Sequence, residues 1–410
     1  MKMKRQFHIQ GSFAAAFSVL TGGVFLSGLA AMMGAGDVLI GYISVIMNIC
    51  GALILFFAPY IERFKSRKKV TLVLTVLSKI VTALIVFIPV AAPKSLYLFI
   101  FLPLTVIAFS LQAQAQVSLN NWLVAFVEEE RRGRYISVRM TAQLMITVLL
   151  SVAAGYFIDT MEGKYIAFVL LFCLAFAFAL LETVTLLQID DVQTAQKSRP
   201  KYSLKDLFRI PFQNKEYIEF VVYIASFYFL LYISDSFTIV YLLKYLTLSF
   251  TEITIYQQLF MSLPQIFLLS VWGRISDKRG HNRALHICIW FFAFEVLFVM
   301  FSSKETALVL LPLAYLFGAI ANSGFSVSVF NRRYELIPDE GRIIYDNFFS
   351  AAVGVSLILG PVTGGTVRDA VAKSGVVSSV PFGDFRALYA LSFIGILMLQ
   401  LFHFRKRRPT

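Results

Sequence analysis

Long apolar runs alternate with short polar connections along the whole chain. Eight runs contain no Asp, Glu, Lys or Arg: 6–36, 38–61, 95–127, 140–158, 253–273, 306–331, 347–367 and 387–404. Four more are apolar around a single charge: 70–93 with Lys79, 165–189 with Glu182, 220–243 with Asp235 and 284–303 with Glu295. A helix needs about 20 apolar residues to cross the hydrocarbon core. Inside that core, every backbone polar group must find its partner within the segment. The pattern therefore predicts twelve transmembrane helices, numbered here as spans 1 to 12 in chain order. The apolar part of the first run extends from about Gly11 to Gly36, too long for the core of a cleaved signal peptide.

One connection is longer than the rest. Residues 190–216 are polar, with Pro200 and Pro211, and six spans stand on either side. The expected organisation is a six-helix bundle over 1–189, a cytoplasmic linker over 190–216 and a second six-helix bundle over 217–410. Within the linker, Ser203 precedes Leu204, Leu207 and Phe208 at helical spacing. That pattern predicts a capped amphipathic helix on the inner membrane surface.

Composition narrows the function class. Of 410 residues, 58% are hydrophobic and 15% charged, and mean hydropathy is +0.74. Typical globular domains have about 45–50% and about 25%. A soluble enzyme or a DNA-binding protein is excluded, and no nucleic-acid partner is expected despite the net charge of +13. The basic residues instead report topology. With the N-terminus inside, 29 of the 37 Lys and Arg fall in cytoplasmic segments and seven outside. This is the bias the positive-inside rule requires, and it places both termini in the cytoplasm. Cys50, Cys173 and Cys288 lie within apolar runs at spacings that give neither a disulfide framework nor a zinc site. No Asn-x-Ser/Thr sequon occurs, which favours a bacterial inner membrane over a glycosylated cell surface.

The two halves repeat one another. Span 2 ends in Ala58-Pro-Tyr-Ile-Glu62 before Arg63, Lys65 and Arg67, and span 8 ends in Gly273-Arg-Ile-Ser-Asp277 before Lys278, Arg279 and Arg283. Span 5 ends in Gly155-x-x-x-Asp159 and span 11 in Gly365-x-x-x-Asp369. Gly273-x-x-x-Asp277-Lys278-Arg279-Gly280-x-x-Arg283 resembles the loop signature of the major facilitator superfamily. The resemblance extends to length, twelve spans and the central loop. It implies an all-α fold of two pseudo-symmetric six-helix bundles and transport by alternating access. In this light Gly273, Asp277, Arg283 and Glu62 are candidate gating residues. In the first-half copy, Ala58 replaces the glycine, Glu62 the aspartate, and Lys65 stands where the second glycine is expected. Gly360-Pro361 in span 11, followed by Gly364 and Gly365, is similar to the Gly-Pro motif of drug–proton antiporters in the same superfamily. There, however, the motif occupies span 5, where this chain has only Gly155. Gly360 and Pro361 form a candidate kink.

Polar side chains at mid-membrane depth are costly and mark pathways or helix contacts. Gln112, Gln116 and Asn120 follow one face of span 4, and Gln143 and Thr147 one face of span 5. Asn322 and Ser326 occupy the corresponding face of span 10. Gln258 and Ser262 in span 8, Asn48 in span 2, and Tyr228 and Tyr232 in span 7 complete the candidate substrate-binding set. Interhelical hydrogen bonding is the competing role for each of them. Asp235 is the first candidate for coupling to protons or cations, with Glu295 beside it on the list. Lys79 and Glu295 are also candidates for structural pairing, and Glu182 is placed at the inner interface.

These residues point to a secondary or facilitative transporter of a small neutral-polar or amphipathic organic solute. The alternative is a proton-coupled exporter of amphipathic compounds, and a lesser one a transporter-like membrane sensor. No Walker loop and no nucleophile–base set occurs mid-membrane, so no enzyme activity and no cofactor are expected, proton coupling aside. The expected partners are a small-molecule substrate and the bilayer, with the chain acting as a monomer.

Overall fold

A computed structural model of the chain describes residues 2–44, 46, 49–50, 66–124, 129–191, 206–338, 342–374 and 383–406. The described residues are helical between short turns, and ten of their helices are long and apolar enough to cross a membrane. Span 2 falls mainly outside the described residues. Span 3 is the helix Arg67–Ile85, whose lysines lower its hydropathy below that of the ten. The chain divides into two units, residues 1–200 with 249–254, and residues 201–248 with 255–410. The amphipathic pattern of the linker yields a helix at Asp206–Phe212.

In the first unit, span 1 consists of Lys2–Thr21 and Gly23–Met32. It breaks where Gly23 takes φ +50°, a left-handed conformation open to glycine. Phe7, Leu119, Trp122, Leu123, Leu186 and Ile189 form a buried cluster joining spans 1, 4 and 6. Span 3 begins at the N-cap Ser66, whose side chain accepts from the Lys69 N–H. Asp191 accepts from Ser66 Oγ and from the Lys68 N–H, placing negative charge at that helix's positive end.

A buried polar network ties these helices together. The Glu182 carboxylate of span 6 lies 3.4 Å from Lys79 Nζ of span 3 and accepts from Gln10 Nε2 of span 1 at 2.9 Å. Gln10 Oε1 in turn accepts from Arg139 at 2.8 Å, and Arg139 also donates to the Phe7 carbonyl. Lys79, Glu182 and Arg139 are 4%, 3% and 5% exposed. Glu182 therefore does not sit at the interface as its place near the end of the run suggested. The lysine one span away draws it into the packed interior, since an isolated buried charge would be far more costly. Lys79 also lies 3.8 Å above the Phe17 ring.

Asp159, at the end of span 5, accepts from the Phe250 N–H at 3.1 Å and from the Thr251 N–H at 2.7 Å. The Thr251 hydroxyl donates to the same carboxylate at 2.6 Å. These N–H groups begin a helix and have no partners within it. Ser249 and Glu252 complete a capping box, Glu252 accepting from the Ser249 N–H and Ser249 Oγ from the Glu252 N–H. Replacing Asp159 by Ala is expected to cost about 0.5–2 kcal/mol, the usual range for a lost cap. Thermal unfolding of the purified protein checks this, and an unchanged melting temperature would refute it.

In the second unit, span 7 is the helix Lys215–Asp235, capped by Asn214 accepting from the Tyr217 N–H. A polar triad again links the first helix to the outer ones. The Tyr223 hydroxyl meets His286 Nδ1 of span 9 at 2.8 Å. Gln400 of span 12 brackets the same ring, its Oε1 2.8 Å from Nδ1 and its Nε2 donating to the His286 carbonyl. The triad is neutral in composition, where the first unit's network is charged.

Span 11, Arg342–Ser374, runs helically through Pro361 and packs on span 7 along a seam of glycines. A Cβ at Gly360 would meet the Tyr232 side chain, and one at Gly364 would overlap the Ile233 carbonyl oxygen. Span 8 is not a plain α-helix. It passes from Phe250–Ile255 into a π-helical turn at Tyr256–Ser262 and resumes as Leu263–Arg279. Pro264 supplies the reason: it has no N–H to donate, and its ring would crowd the carbonyl four residues back.

Candidate functional site

The structure divides the sequence-predicted polar residues into bonded and open ones. In the first unit, Gln112 Nε2 donates to Ser18 Oγ at 2.9 Å, which joins span 4 to span 1. One and two turns further, Gln116 and Asn120 are exposed and bond each other, Nε2 to Oδ1 at 3.1 Å. Gln143 donates to the Gly11 carbonyl at 3.1 Å. Arg139, one turn earlier, reaches the Phe7 carbonyl, one turn earlier on span 1. Gly11 makes this approach possible, because a Cβ there would press on the Arg139 guanidinium and the Gln143 amide. Thr147 is half-buried on the same helix. Asn48 and Glu62 lie outside the residues described.

In the second unit, Asn322 Nδ2 donates to the Gly318 carbonyl and Ser326 Oγ to the Asn322 carbonyl, both within span 10. Ser326 remains exposed. Tyr228 and Tyr232 are half-buried. Tyr228 packs edge-on against Phe325 at 5.6 Å and lies 6.1 Å from Tyr232. Gln258 and Ser262 both fall in the π-turn of span 8, and Gln258 Oε1 is buried with no hydrogen-bond partner. Such turns are frequent at functional sites.

Asp235 is the last residue of its helix and is exposed, while Glu295 is half-buried in span 9. Neither forms an ion pair among the described residues. Among the gating candidates, Gly273 faces open space, and Asp277 and Arg283 are exposed. The contacts at this end of the unit are made by their neighbours. Gly280 turns the chain with φ +84°, and Ser276 Oγ meets His281 Nδ1 at 2.6 Å. His281 Nε2 lies 3.3 Å from Glu335, and Glu335 accepts from Arg332 at 3.0 Å. Among the described residues, no group of three or more His, Cys, Asp and Glu could hold a metal ion.

Three participants escaped the pattern reading. Arg139 counts in sequence as one more cytoplasmic cation, yet it is buried. Its signal was Gly11 and Gln10 side by side in an apolar helix. His286 stands two turns into span 9 and is 6% exposed, not placed near the inner surface with the other histidines. Tyr315 in span 10 carries no sequence mark at all.

The family model of the Major Facilitator Superfamily matches residues 10–261. The chain belongs to this superfamily. It is accordingly a multi-pass membrane transporter, with a small-molecule substrate. The solved structure of the nucleoside transporter NupG is similar over 100% of both chains, with TM-score 0.74 and 14% identity. A bacterial homologue of the iron transporter ferroportin, in an inward-facing state, matches with TM-score 0.71 and 14% identity over 98% of each chain. A D-xylose–proton symporter matches with TM-score 0.67 and 14% identity, over 97% of this chain and 96% of its own. At these identities the likeness concerns the fold. Comparison with curated proteins by sequence gives no match.

Proposed function

We propose that this transporter moves a small neutral-polar or amphipathic organic solute across the membrane by alternating access between its two six-helix halves. The bundles over 1–189 and 217–410 would move about the linker over 190–216, with both termini in the cytoplasm of a bacterial cell. The observation that carries the reading is the amide row of span 4. Gln112 is spent on Ser18, while Gln116 and Asn120 are accessible and bonded only to each other. Amides offer donors and acceptors together, which suits hydroxyl, carbonyl and amide groups on a solute better than a fixed charge. The nucleoside and xylose named for two of the similar structures are solutes of this kind. The substrate set also includes Gln143, Thr147, Asn322, Ser326, Gln258, Ser262, Tyr228 and Tyr232. Gly273, Asp277, Arg283, Gly360 and Pro361 are proposed to move with the gate.

A ligand screen by thermal stabilisation would find the solute, and flux in proteoliposomes would then test the row. Replacing Gln116 or Asn120 by Ala removes a hydrogen bond worth about 0.5–1.5 kcal/mol. Flux at low solute concentration should fall by up to about tenfold in each. Unchanged flux in both variants would remove the span 4 row from the binding site. A proton-coupled exporter is the second reading, and the unpaired Asp235 is the observation favouring it. If Asp235→Asn leaves pH-driven flux intact, that coupling role is lost.

A further inference from the structure

Four ionisable side chains stand within the apolar runs: Lys79, Glu182, Asp235 and Glu295. The first two neutralise each other across 3.4 Å. The remaining pair are both carboxylates and both belong to the second unit. Glu295 lies within Coulombic reach of Asp235, and no Lys, Arg or His acts on either of them.

The groups around them sharpen the problem. Asp235 closes the helix Lys215–Asp235, so it sits at the negative end of that helix's dipole, where a carboxylate is disfavoured. The Glu295 carboxylate lies against the bare backbone of span 10 at Gly318, where a Cβ would overlap it. Tyr315, one turn before Gly318, is 7% exposed, and its hydroxyl has no hydrogen-bond partner. That hydroxyl interacts electrostatically with both carboxyls, and the Gln257 amide of span 8 comes near it without bonding geometry. From span 12, Tyr389 feels Asp235 and is held by Thr238 at 3.0 Å, with Tyr241 behind it. Two like charges and an unspent buried hydroxyl thus converge with nothing positive among them. A tyrosine hydroxyl both donates and accepts, so it serves either protonation state.

We infer that Asp235 and Glu295 form one site that holds a single positive charge between them, with Tyr315 as its hydroxyl ligand. The charge is a monovalent cation: a proton, or the ammonium group of an organic solute. The inference extends the coupling role proposed for Asp235 by making Glu295 the other half of the same site and by naming what it binds. It rests on that role for its use in transport, but its test does not require transport.

The test is infrared difference spectroscopy of the full chain in lipid nanodiscs and sodium-free buffer, following the carbonyl stretch of protonated carboxylic acids with pH. The wild type should keep one protonated carboxyl at neutral pH. In Asp235→Asn and in Glu295→Gln alike, that signal should vanish at a pH lower than in the wild type by more than about one unit, as expected for coupled groups. Tyr315→Phe, a conservative change, should move the carbonyl frequency, and melting temperatures would show that each variant is folded. Tetramethylammonium serves as the organic probe. Its release of one proton per protein from the wild type, absent in both carboxylate variants, identifies the ammonium source. Retention of the shared proton identifies the proton as occupant. If each variant loses only its own carboxyl while the other titrates unchanged, or no protonated carboxyl is found and tetramethylammonium has no effect, the inference is overturned. Flux that fails while the spectra behave as expected would refute the transport role alone.

Discussion

Glu182→Gln is expected to be among the most damaging single substitutions in the protein, lowering its unfolding free energy by about 3–5 kcal/mol. Lys79 and Arg139 are both buried, and the Glu182 carboxylate acts on both of them. Neutralising it strands two cations in the packed interior. The shape of the side chain is kept, so the loss is electrostatic and not a cavity. The cost is that of an uncompensated charge and does not measure the net worth of the pair. The double variant Lys79→Met, Glu182→Leu removes both partners together and should therefore recover part of the loss, leaving Arg139 with its bonds to the Phe7 carbonyl and Gln10. Thermal unfolding in detergent of the wild type, the single variant and the double variant checks both statements. A Glu182→Gln protein that melts with the wild type would show that Lys79 and Arg139 are neutralised by something other than Glu182.

Gly364→Ala should destabilise the second unit by about 1–3 kcal/mol. The added methyl would overlap the Ile233 carbonyl oxygen and the Phe237 ring, and a backbone carbonyl cannot swing aside as a side-chain tip can. Spans 7 and 11 would have to separate along the Gly360–Gly364 seam. Gly273→Ala makes the matched control. The same methyl there meets nothing within 4 Å, in the helix Leu263–Arg279. Alanine is the better helix former by about 1 kcal/mol. That variant should melt at or above the wild-type temperature. The ordering of the two glycine variants is the decisive reading: a reversed order would remove the seam as a determinant of packing.

How much of this was legible beforehand depends on the period of the signal. Span positions follow from runs of some 20 residues, so local exceptions do not erase them. The repeat at Gly155-x-x-x-Asp159 was visible, and a carboxylate capping a neighbouring helix was the role expected of such a pattern. The structure places that cap at Asp159, whereas Asp277 in the better-matched signature is exposed. The residue spacing was right about the chemistry and silent about which copy performs it. Gln112 and Gln143 look identical in sequence to Gln116, yet both are spent on span 1. Helical spacing assigns a face, but the partner facing it comes from a segment about a hundred residues away. For the same reason Glu182 read as interfacial: its distance from the end of the run was known, and its proximity to Lys79 was not.

The π-turn at Tyr256–Ser262 gives span 8 an unusual sensitivity to length. A π-turn spends one residue more than an α-turn over the same rise. Deleting any one residue of this turn would let the helix close into regular α-form without shortening it appreciably. Everything after it would then be rotated by about 100°, the angle between successive residues of an α-helix. Gln265, Gly273 and Asp277 would each swing to a different side of the helix. The spare residue is thus a phase setting: it decides which way the last four turns of span 8 face while leaving their depth in the membrane almost unchanged.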